Sequence, residues 1–137
     1  MKRSEVREHI FKILFSVEFC EREEFEEQVS LYFQENGYIR KKQQEEIAGK
    51  VTDLIAHLDE LDKEISDHAK AWNLARIGKA ELSILRLAIY EILMDPEVPR
   101  KVAINEAVEL SKKYCNEKAA GFINGILAKI GQEQDEE

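Results

Sequence analysis

Apolar residues recur every three or four positions along nearly the whole chain, which is the spacing of one face of an α-helix. No stretch alternates with the period of two that a half-buried strand requires. The first run predicts a helix over about Ser4–Cys20, with Val6, Ile10, Ile13, Leu14 and Val17 on one face and Ser4 as N-cap. A second, acidic helix is expected over about Glu23–Gln34, ended by Asn36-Gly37. The longest, Arg40–Ala69, carries a narrow seam of Ile47, Val51, Leu54, Leu58, Leu61 and Ile65. Asn73 is expected to cap a short turn through Ile77, broken by Gly78. A buried helix follows over about Lys79–Met94, with Leu82, Leu85, Ile89 and Ile92 on one face, until Asp95-Pro96 and Pro99 stop it. Two more are expected at Lys101–Tyr114 and Glu117–Ile130, the latter capped by Asn116. The fold class that follows is all-α, a compact bundle of six to seven helices with short connections.

Composition agrees with this pattern. Glu and Lys are prominent, and six glycines and two prolines among 137 residues leave the helices few interruptions. That length suits one helical domain, expected at residues 1–131, and the acidic remainder, 132–137, is expected to be disordered. Cys20 and Cys115 are far apart and form no CxxC pair, so a disulfide framework is not expected. The opening residues do not read as a signal peptide, and no apolar run approaches a membrane span, so a cytoplasmic setting is expected.

Candidate chemistry is sparse. His9, His57 and His68 stand apart, with no HxxxH and no Cys/His cluster, so no metal site is expected. Cys115 precedes the capping Asn116, where a helix N-terminus can activate a thiol, but a half-buried inert thiol is the ordinary reading. No glycine-rich phosphate loop or nucleophile elbow occurs, so the chain reads as a binding protein without cofactor rather than an enzyme. The net charge of −8 argues against non-specific nucleic-acid binding. Its distribution argues less simply. Lys2, Arg3, Arg7 and Lys12 make the first helix basic, and Arg3 and Arg7, four apart, are expected to project from one face toward phosphates; helix capping and solubility explain them equally well. Further cations cluster at Arg40–Lys42 and over Arg100, Lys101, Lys112, Lys113 and Lys118. Phe122 reads either as core or as a platform for an unpaired base beside Lys118. Gly125 costs a helix about 1 kcal/mol, and close approach of another helix is the expected compensation.

Three segments in order then resemble the NusB family of transcription antitermination factors. They are Ile84–Leu93 (ILRLAIYEIL), Val98–Leu110 (VPRKVAINEAVEL) and Gly121–Leu127 (GFINGIL). The opening, Arg3–Phe15, and Trp72–Ile77 are similar to that family as well, so the resemblance spans the chain. It implies an all-helical, non-enzymatic protein that binds boxA RNA in the leaders of ribosomal RNA operons. The implied partners are the small-subunit ribosomal protein NusE and the RNA polymerase complex with other Nus factors; a homodimer stays open. By resemblance, Lys2, Arg3, Arg7, Lys118, Phe122 and Asn124 fall on the RNA-binding surface, and Phe15, Arg76 and Glu81 where the family meets NusE. Ser4 and Glu5 interrupt the arginine run common in the family, and Phe15 stands where a Tyr is frequent. Two alternatives remain: an RNA-binding accessory domain of an rRNA methyltransferase-like system, and a protein-only helical adaptor.

Overall fold

The computed structural model describes residues 1–69 and 76–132. They form seven α-helices and one short 3-10 turn, with no strand among the described residues, so the chain is all-α. The backbone divides into two units, Met1–Ala56 and His57–Glu137.

The first unit holds α1 (Arg3–Val17), a 3-10 turn (Arg22–Glu24), α2 (Phe25–Glu35) and α3 (Lys41–Ala56). Helix α1 packs on α2 and α3. Of the face the periodicity predicts, Ile10, Ile13, Leu14 and Val17 are buried, joined by Phe11, and Val6 is half-buried. Ser4 is not the N-cap: the helix begins one residue earlier, and Lys2 is the capping position, without a side-chain bond. The acidic stretch starts in a tighter turn than expected. Glu21 and Glu24 form a reciprocal capping box, the Glu21 N–H donating to the Glu24 carboxylate at 3.1 Å, and α2 follows only from Phe25. Asn36 ends α2 as expected, its backbone and side-chain amides both donating to the Tyr32 carbonyl.

The one element that differs in kind is the expected long helix. It is interrupted at His57, which separates α3 from α4 (Leu58–Ala69). No glycine or proline marks the break. Asp59 and Glu60 do mark a new first turn, because carboxylates favour a helix N-terminus. Of the predicted seam, Ile47, Val51 and Leu54 are buried in α3 and Leu61 and Ile65 in α4, whereas Leu58 beside the break is half-buried. The turn expected at Asn73 lies outside the described residues.

The second unit is built around α5 (Lys79–Met94), which packs on α4, α6 (Arg100–Tyr114) and α7 (Glu117–Leu127). Gly78 is the N-cap of α5. The Arg86 guanidinium donates twice to the Asp62 carboxylate, at 2.8 and 2.9 Å, and so ties α5 to α4. The buried hydroxyls Ser83 and Ser111 donate back to the carbonyls of Lys79 and Ala107. At the far end Arg100 donates to the carbonyls of Ile130, Ala128 and Leu127 at 2.7, 2.8 and 3.3 Å. It thereby closes the C-terminus of α7, where the helix dipole favours a cation. Gly131 ends this turn in the left-handed region (φ 68°), and a Cβ there would come within 2.6 Å of Ile92 Cγ2.

In the first unit His9 is buried between two tyrosines, its Nδ1 meeting the Tyr32 hydroxyl and its Nε2 the Tyr38 hydroxyl at 3.1 Å. Burial, then the charge of Lys12, lowers the His9 pKa below 6.5, and burial raises that of Tyr32 to about 12. The neutral imidazole is therefore the form the fold stabilises. A group whose folded pKa is depressed contributes stability above its unfolded pKa and loses it as pH falls toward the folded value. The melting temperature should therefore decline as pH drops below 6.5, and His9→Gln should flatten that part of the profile. An identical slope in the variant would assign the effect to other groups.

Candidate functional site

The residues singled out by the sequence fall into both units. In the first, Lys2 and Arg3 are exposed at the start of α1, whereas Arg7 is only 6% exposed. The expectation that Arg3 and Arg7 share a solvent-facing surface is therefore corrected. Arg7 lies on the inward side of α1 with Ile10 and Leu14, three and seven positions on, and is engaged within the protein. Phe15 is 36% exposed, farther along the same helix.

In the second unit one groove, about 320 Å³, brings four of the remaining residues together. Arg76 lines it from just before α5, Glu81 from the first turn of α5, and Lys118 and Phe122 from α7, together with Gly78 and Asn116. The placement follows from two helix starts. Gly78 opens α5 with extended backbone, and the Glu81 carboxylate folds back over it, within 1.9 Å of where a Cβ would stand. Asn116 caps α7, its side-chain oxygen accepting the Ala119 N–H at 2.8 Å. Lys118 and Phe122, four apart, then occupy one edge of α7, Lys118 exposed and Phe122 half-buried. So Phe122 is neither pure core nor a free platform: its ring borders the groove.

Cys115 joins the two helix starts. Its thiol is hydrogen-bonded to Glu81, and burial, reinforced by that carboxylate, pushes its pKa up to about 11. The thiol is therefore protonated at neutral pH and no nucleophile, as the ordinary reading of the sequence held. Gly78, Asn116 and the Glu81–Cys115 contact were not foreseen as one cluster, although each borders a helix start legible in the sequence. No group of three or more His, Cys, Asp or Glu side chains among the described residues could hold a metal ion. None of the described helices is long and apolar enough to cross a membrane.

The outer face of α7 corrects a second expectation. Gly121 and Gly125 are exposed, and a Cβ at either would meet nothing within 4 Å. Among the described residues no neighbouring helix approaches Gly125. The buried side of α7 is Ala119, Ala120, Ile123, Ile126 and Leu127, so the two glycines form the crest opposite. Asn124, also exposed, flanks that crest and does not line the groove.

The model of the NusB family matches residues 4–132. The chain belongs to the NusB family. It is similar to the transcription antitermination protein NusB of Lachnoclostridium phytofermentans, at 48% identity over 95% of this chain and 98% of the relative. It is similar to that of Agathobacter rectalis at 43% identity, over 95% and 99%. Among solved structures it resembles T. maritima NusB at 33% identity and a TM-score of 0.87, covering 97% of this chain and 92% of that one. It also resembles a chain in a crystal structure of the antitermination factors NusB and NusE in complex with dsRNA, at 27% identity and a TM-score of 0.83, covering 96% of each. The NusB family comprises non-enzymatic RNA-binding antitermination factors, so this chain is a binding protein and not an enzyme.

Within this NusB-family chain the Glu81–Cys115 contact can be tested directly. Glu81→Gln removes the carboxylate that reinforces the high thiol pKa, so alkylation of Cys115 by iodoacetamide at fixed pH should speed up, with Cys20→Ser as background. An unchanged rate would show that burial alone holds the thiol.

Proposed function

We propose that the chain is a cytoplasmic antitermination factor that binds boxA-type leader RNA of ribosomal RNA operons together with NusE and joins the RNA polymerase antitermination complex. The observation that carries this reading is the groove of the second unit, where Arg76 and Glu81 meet Lys118 and Phe122. A partner held by the first pair and an RNA held by the second would touch each other across it. RNA contacts also come from Lys2 and Arg3, with Arg7 adding its charge to that end of α1, and from Asn124. Phe15 belongs to the partner-binding set.

The exposed glycines support the same assignment. A helix crest without side chains lets a sugar-phosphate backbone come close to the peptide groups, with Lys118 and Asn124 to either side. The net charge of −8 limits what the chain does alone, because RNA affinity depends on how many phosphates are neutralised. A basic ribosomal protein would supply the missing charge.

Titration of boxA RNA with and without NusE, at two salt concentrations, tests this reading. Weak, steeply salt-dependent binding alone and tighter binding with NusE are expected; equal affinity in both cases overturns the cooperative assembly. Phe122→Ala should weaken RNA binding by about tenfold, the loss of one base–aromatic stack, and Lys2→Ala with Arg3→Ala should lower the salt slope. Gly125→Ala separates stability from function. It should stabilise the fold by about 1 kcal/mol and weaken RNA binding. A stabilised variant that binds RNA like the parent would remove the crest from the interface.

A further inference from the structure

A row of aromatic rings climbs out of the core at the end of α1. Phe11 is buried, Phe15 is 36% exposed, and Phe19 is 65% exposed. The three are spaced by four and touch in sequence: Phe11 and Phe15 stack at 6.2 Å between centroids, and Phe15 and Phe19 meet edge to face at 5.1 Å. Phe19 lies beyond the last helical residue, yet its N–H donates to the Ser16 carbonyl at 3.2 Å and the following Cys20 N–H donates to that of Val17 at 3.3 Å. The backbone that carries the outermost ring is therefore held by turn hydrogen bonds, and the ring itself rests against Phe15. A large apolar side chain fixed in water is costly to solubility and useful to a partner, which gains contact area with little ordering entropy.

The chain that follows is strongly acidic. Between Glu18 and Glu27 there are six glutamates and one cation, Arg22. The exposed ones include Glu21, Glu23, Glu24, Glu26 and Glu27, and the capping box holds the Glu21–Glu24 turn in a defined shape. The local field is visible at Cys20, whose thiol pKa is raised by burial and then by Glu24 and Glu21. Lys12 is the nearby cation on α1 itself.

We propose that Phe15 and Phe19, bordered by the carboxylates of Glu18–Glu27, dock a basic, arginine-bearing surface of the NusE-type partner. The inference rests on the partner reading above and extends it to Phe19 and the acidic turn. An arginine suits both halves of the patch, since its guanidinium stacks on an aromatic face and pairs with carboxylates. The rings would set the lifetime of the complex, and the carboxylates would steer its formation.

Surface-immobilised NusE with the full-length chain as analyte tests this. Phe19→Ala should raise the dissociation rate by about tenfold, with only a small fall in melting temperature because the ring is largely exposed and loses one edge contact with Phe15. Phe19→Leu should fall between the two. Glu23→Gln with Glu26→Gln and Glu27→Gln should slow association and flatten its salt dependence, with dissociation little changed. If the parent chain binds NusE and none of these variants differs from it, the docking patch is overturned and the partner reading stands. If the parent does not bind NusE, both fall. A dimer of this chain that Phe19→Ala dissolves would assign the rings to self-association and likewise overturn the proposal.

Discussion

Between Leu82 and Ile92 every residue of α5 except Arg86 is buried, so this helix needs cover on all sides. Helices α4, α6 and α7 supply it, and their positions in the second unit follow from that demand. Each fully buried Leu or Ile contributes roughly 1.5–3 kcal/mol relative to exposure, so the sum over α5 outweighs any single polar contact nearby. The exception is instructive. Of the two charged residues in that run, Glu91 is buried and Arg86 lies at the edge, where Asp62 receives its charge in two hydrogen bonds. Removing Asp62 would take both of these bonds from Arg86 where the two side chains are only 12% and 22% exposed, at a cost above that of a surface ion pair. The groove between the starts of α5 and α7 is a product of the same packing, because α7 lies where α5 needs cover.

Cations in this chain divide into those spent on the fold and those left exposed. Arg86 is committed to Asp62, Arg100 to the carbonyls at the end of α7, and Arg7 lies buried on α1. Lys2, Arg3 and Lys118 remain exposed. A count of basic residues thus overstates the charge available for phosphates, and arginines are the ones withdrawn. Their planar guanidinium satisfies several acceptors at once, which suits partly buried sites.

Helices were legible where residue spacing alone decides them. Lys79–Met94 appears with the bounds its periodicity predicts, because Gly78 and the Asp95-Pro96 pair punctuate it on both sides. The break at His57 was not legible, since the apolar seam continues through it and seam spacing reports burial rather than helix continuity. Site residues were legible as types and not as environments. Arg3 and Arg7 read alike at four-residue spacing, yet the face that buries Ile10 and Leu14 takes Arg7 with it. Gly125 carried a cost visible in the sequence, but whether a helix or open space lay over it depended on tertiary packing. The groove itself joins residues some forty positions apart, which spacing along the chain does not encode.

The glycines on the crest of α7 also bear on how that helix moves. Each widens the backbone conformations open to the unravelled segment, so α7 parts from its helical state more readily than α5, which has no glycine between Lys79 and Met94. Its amide hydrogens should accordingly exchange faster with solvent than those of α5. A ligand seated on that crest would order a segment whose glycines favour opening. Part of its binding free energy is spent on order, and the result is read as slowed exchange along Gly121–Leu127 rather than as any change in shape.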